Sequence, residues 1–206
     1  MPSTNGAKAD KQAGMANLLY QVLETELGGV QVYRTALQCV INEDLRGEWQ
    51  KYLSETEHHV EVARGMLEKL GLDPEVETPG RMVVRHIGKS LVEAMEKARE
   101  AGKPEDAQVV AAECVVEAET KDHMNWELVG VLGEKTKGDA GKILREAHQE
   151  VEKEEDHHLY HTTGWARELW IESLGLPAVL PPPEEEKNVE TAIGAARAKN
   201  ARTDML

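Results

Sequence analysis

Apolar residues recur at three- and four-residue spacing through four long stretches of the chain, the pattern of helices that each bury one face. The first stretch runs from Asn17 to about Ile41 without a proline, and the second from about Asp44 to Leu70. Asn42 is placed to cap the second helix, and Gly71 followed by Pro74 to end it. The short link between the two predicts an antiparallel hairpin. Thr78 and Pro79 open a shorter amphipathic helix, Met82 to Arg99, that stops near Gly102 and reads as a crossover. A third long helix follows Pro104, from about Glu105 to Leu132, and a fourth runs from about Asp139 to Leu174. The glycine-bearing segment GEKTKGDAG between them predicts a second hairpin. Residues 1 to about 14 read as a loose polar arm. Pro177 and the run Pro181, Pro182 and Pro183 forbid further helix, so the chain divides into a helical domain over 15–176 and a proline-rich linker with a tail or short helix over 177–206.

The two hairpins look like copies. VLETELGGVQVY (22–33) and VVEAETKDHMNW (115–126) share V-x-E-x-E and place an aromatic residue seven positions after the second glutamate. The helices that follow agree too, because ETEHHVEVARG (55–65) matches EEDHHLYHTTG (154–164) in its acids, its histidine pair and its glycine. Both of these helices end in Leu-Gly-Leu. Two matches in the same order point to an internal repeat.

Helical geometry then separates inward from outward acids. Leu19, Leu23, Glu26, Val30, Tyr33, Leu37 and Val40 form one stripe, and Val109, Ala112, Val116, Glu119, His123, Trp126 and Val129 form its counterpart. Glu26 and Glu119 therefore interrupt buried faces, whereas Glu24 and Glu117, two residues earlier, are rotated away and expected to be solvated. Two inward carboxylates repel each other and are costly to bury unless a cation lies between them. On the other two helices, Glu55 with His58 and Glu154 with His157 are three residues apart and can share a metal. The histidine pairs also permit a four-residue register in which His59 and His158 are the ligands, and those two lie nearer the apolar stripes. His123, one turn beyond Glu119, is a further candidate or a hydrogen-bonded core residue, and Tyr33 and Trp126 read as packing, with the tyrosine hydroxyl able to orient a ligand carboxylate.

Composition narrows the chemistry. The 206 residues suit one domain with a tail, and 30 % of them are charged, with a formal net charge of −14 and no basic cluster, which argues against nucleic-acid binding. Cys39 and Cys114 are the only cysteines, too few for a cysteine zinc site or a rubredoxin-type centre. They read as small buried hydrophobes. No apolar run is long enough to span a membrane and the polar start has no signal-peptide pattern, so a soluble cytoplasmic protein is expected.

Over residues 17 to 165 the chain resembles the ferritin-like superfamily, in which two helices give one Glu each and two give Glu-x-x-His. Glu26 with Tyr33 is similar to the first-helix motif of ferritin and rubrerythrin, and ETEH at 55–58 to ferritin's second-helix signature. The resemblance implies an all-α, ferritin-like four-helix bundle of two antiparallel hairpins joined by a crossover containing an extra helix. It implies two iron ions held by Glu26, Glu55, His58, Glu119, Glu154 and His157, the first histidine of each pair being the one the family spacing favours. The expected activity is oxidation of iron or reduction of peroxide, with O2 or hydrogen peroxide as reactant and an external electron donor for a peroxidase, since no rubredoxin-type cysteine set is present. A manganese catalase-like enzyme and a non-catalytic helical metal-binding or interaction protein are the rival readings. Flat amphipathic faces suggest a homodimer.

Overall fold

The computed structural model describes residues 4–183, with side chains from Gln12 onward; the tail beyond, including the expected short helix, lies outside the described residues. Among these residues the structure is helical throughout: α1 (Thr4–Cys39), α2 (Glu43–Lys69), α3 (Pro79–Ala101), α4 (Pro104–Lys135) and α5 (Gly138–Ser173). The first helix starts earlier than expected, and the alanines, lysines and single glutamine of the polar arm are good helix formers.

The predicted punctuation is present atom by atom. The Asn42 side chain accepts from the Leu45 N–H, and Thr78 accepts from the Arg81 N–H ahead of Pro79. Each Leu-Gly-Leu closes its helix in the same way. Gly71 and Gly175 sit at φ +73° and +71°, a left-handed conformation that glycine adopts without strain, and the leucine after each reaches back to a carbonyl five residues earlier.

Helices α1, α2, α5 and α4 follow one another around a ring, each touching its two neighbours, and α3 lies outside across α1 and α4. Cross-contacts fix the directions. Tyr52, Glu55 and His59 of α2 meet His161, His158 and Glu154 of α5, and Glu26 of α1 meets Trp126 of α4 while the start of α2 is held by Gln108 of α4. Both pairs are therefore antiparallel. Gln108 is buried and accepts from the Ile41 and Asn42 N–H groups, so the link of the first hairpin is fastened to the second.

Two apolar clusters fill the ring at either end. One gathers Tyr33, Leu45, Trp49, Met95, Val115 and Trp165; the other Leu19, Leu23, Met66, Trp126, Leu144 and Val151. Glu26, Glu119 and the second histidine of each pair occupy the layer between them.

Glu24 corrects the sequence expectation. It is buried, not solvated, because α3 covers that side of α1, where Gly28 and Gly88 let the two backbones approach closely. The Arg81 Nε and the Arg85 guanidinium donate to its carboxylate at 2.6–2.9 Å. Burial alone would raise the Glu24 carboxyl, but these arginine bonds outweigh it and hold it below the ordinary value. Glu117, its counterpart in the repeat, is exposed.

Candidate metal centre

Glu26 and Glu119 project from α1 and α4 into the middle layer, 0 % and 3 % exposed. The aromatic residues of the repeat cross between hairpins to meet them. Trp126 Nε1 donates to Glu26 Oε1 at 2.6 Å, and the Tyr33 hydroxyl faces Glu119. Since residues seven apart lie on one helix face, antiparallel α1 and α4 set each aromatic against the other helix's glutamate.

The histidine pairs resolve by helix rotation. His59 and His158 are fully buried in this layer, their rings stacked at 5.7 Å. His58 is turned to the outer face, half exposed, and pairs with Glu150 at 3.1 Å. His157 is partly buried, its ring 5.5 Å from that of Tyr52. The placement expected for His58 and His157 is thus corrected: the inward histidines are the second of each pair, one residue or about 100° further around the helix.

Glu55 and Glu154 also stand differently from expectation. The His59 ring meets Glu154 through Nε2 at 2.8 Å, and the His158 ring meets Glu55 through Nε2 at 2.9 Å. A carboxylate only accepts, so each Nε2 donates and each Nδ1 faces the interior. Burial pulls the His59 imidazole below its ordinary value against the opposing pull of Glu154, which keeps that ring neutral. Glu55 would be raised by its partial burial, but the bonds from His158 and Lys51 prevail and lower it.

Two further carboxylates complete the layer, Asp122 and Glu155, 4 % and 2 % exposed. Both were readable in principle. Asp122 follows Glu119 by three residues and Glu155 precedes His158 by three, the face-sharing interval. In the repeat their counterparts are Gly29 and Thr56, and a Cβ at Gly29 would touch the Thr56 methyl at 3.2 Å. One hairpin therefore carries two carboxylates where the other carries a glycine and a threonine.

Five of these side chains form two groups that share Glu155: His59, Glu155 and His158, and Glu26, Asp122 and Glu155. Within each group one ligand atom per residue lies within 4.8 Å of the others. Glu119 adjoins the first, 3.7 Å from His158 Nδ1. Neither family models, nor curated proteins, nor solved structures yield a match to this chain.

The arrangement is electrostatically unfavourable by itself. Burial, with the added repulsion of the neighbouring charges, pushes Glu26, Asp122 and Glu155 well above the ordinary carboxylate range, and burial raises Glu119 against the pull of His158. Hydrogen bonding, such as that from Trp126 to Glu26, relieves it only in part: Glu26 Oε2, Glu119 Oε2, Asp122 Oδ1, Glu155 Oε2 and the Nδ1 atoms of His59 and His158 are all buried without a partner. Such atoms are rarely left unpaired in a folded protein. Donors bound to one ion at about 2.1 Å and at right angles stand about 3 Å apart. His59 Nδ1 and Glu155 Oε1 are 2.8 Å apart, outside hydrogen-bond geometry yet suited to neighbouring ligands. The residues fit a cation.

His123 does not enter the layer; its Nε2 meets Asp156 at 2.7 Å, the hydrogen-bonded core role.

Proposed function

We propose that this chain is a ferritin-like di-metal carboxylate protein that uses two iron ions to react with O2 or peroxide. The observation that carries this reading is the set of buried, unpartnered carboxylate oxygens and imidazole lone pairs converging between two apolar clusters. Oxygen-rich donors with few imidazoles suit iron or manganese better than zinc, which favours nitrogen and sulfur in a tetrahedral shell. In this reading His59, His158, Glu119 and Glu155 would hold one ion, and Glu26, Asp122 and Glu155 the other. It keeps the carboxylate and histidine count expected of the superfamily but moves one carboxylate from the threonine position of α2 to Asp122 of α4.

Two ferrous ions side by side can give O2 or peroxide two electrons, which avoids one-electron radicals. The chain's own residues do the rest. Trp126 fixes one oxygen of Glu26, Glu154 and Glu55 hold the two imidazoles in the required tautomer, and the apolar clusters exclude bulk water. The raised carboxyls keep protons while no cation is present, so loading must release them.

The test is metal quantification on protein from cells given both iron and manganese, then anaerobic ferrous loading and exposure to O2 or peroxide. Two irons oxidised per chain, with oxidant consumed in step, is the expected result. Two manganese and vigorous oxygen release from peroxide would instead make this a catalase, and no bound metal with an unchanged melting temperature would make it an interaction protein.

A further inference from the structure

A second cluster lies outside the buried layer. Glu48 of α2 and His157 and His161 of α5 bring one ligand atom each within 4.8 Å of the others. The histidines are four residues apart and share a face of α5, their rings 5.1 Å apart, and antiparallel α2 places Glu48 opposite. The Tyr52 ring contacts both this cluster and the buried centre, 5.5 Å from His157 and 4.4 Å from His158.

The same tyrosine orients the outer group. Its hydroxyl is 2.7 Å from His161 Nδ1, and the Glu48 carboxylate faces it as well. A phenol has one proton to give. Donated to Glu48, it leaves the oxygen to accept from His161 Nδ1–H, so that Nε2 becomes the lone-pair atom of that ring.

The repeat supplies an internal comparison. The counterparts of His157, His161 and Glu48 are His58, Val62 and Ala147, so the other hairpin keeps one potential ligand of three. His58 has Glu150 as its partner instead.

We propose that Glu48, His157 and His161 form a second site, distinct from the buried centre, that takes one exchangeable divalent transition-metal ion. Two imidazoles and one carboxylate are a three-ligand set that leaves coordination positions to water. The site does not depend on what the buried centre holds.

Full-length protein stripped with chelator would be titrated with Co2+, following visible absorbance and counting bound ions by equilibrium dialysis. The wild type should bind one Co2+ more than His161→Gln and one more than Glu48→Gln, a half-buried residue whose change leaves the core intact. Glu155→Gln should lose ions of the buried centre and keep the one that Glu48→Gln removes. Equal counts in wild type, Glu48→Gln and His161→Gln would overturn the proposal, as would loss of the Glu48-sensitive ion in Glu155→Gln. If Glu155→Gln loses nothing, the reading of the buried centre fails and the outer site stands.

Discussion

Replacing Glu155 by Gln keeps the shape of the one side chain common to both buried groups and removes its charge. In the metal-free protein the folded-state carboxyl is raised by burial and by its neighbours, so the folded chain binds more protons than the unfolded one over the interval between the ordinary value and the raised one. Stability therefore falls as pH rises through that interval, by up to about 1.4 kcal/mol per pH unit for each such group. For a domain of this size that is roughly 3–6 °C of Tm per pH unit. Glutamine does not titrate, so metal-free Glu155→Gln should melt several degrees above the metal-free wild type at pH 7.5, with the gap closing toward pH 4.5. With iron the order should reverse, because binding stabilises only the folded wild type that retains its full ligand set. Differential scanning calorimetry of both proteins, stripped and loaded, from pH 4.5 to 7.5 decides the matter. A metal-free variant less stable than wild type at pH 7.5, or a gap that does not change with pH, would refute the electrostatic reasoning.

Other variants separate the residues around the centre. His59→Ala should lower metal retention at the buried centre by elemental analysis, whereas His58→Ala, half exposed, should leave metal content unchanged and stability within about 0.5 kcal/mol. Glu55→Gln should weaken metal binding by roughly 10- to 100-fold in competition with a chelator while the fold persists, since it acts through His158 Nε2. Arg81→Ala strips the buried Glu24 of a partner and should cost about 3–5 kcal/mol, a drop of roughly 10 °C in Tm, without changing metal stoichiometry. Ferrous loading in weak buffer should release protons to an indicator dye, and the release should be smaller in Glu155→Gln.

The helices, their caps and the duplicated hairpin were written in local patterns. Apolar spacing depends on the 3.6-residue turn, and Asn42, Thr78, Gly71 and Gly175 act on backbone groups only a few residues away. Glu26 and Glu119 were legible for the same reason, as acids breaking two apolar stripes. What decided between adjacent candidates was the rotation of each helix against its neighbours. In a run such as Glu154, Glu155, Asp156, His157 and His158 every residue is polar, so the apolar stripes favour the second histidine only weakly, and packing of α5 against α4 and α2 turns Glu155 and His158 to the interior. The fate of Glu24 was nonlocal as well: α3 from elsewhere in the chain covers it, and two arginines of that helix neutralise it. The sequence by itself thus determined the helices, the repeat and the presence of acids on buried faces, because these depend on short-range backbone geometry. Which carboxylates and imidazoles meet was decided by tertiary structure alone, because that contact exists only between helices brought together from distant parts of the chain.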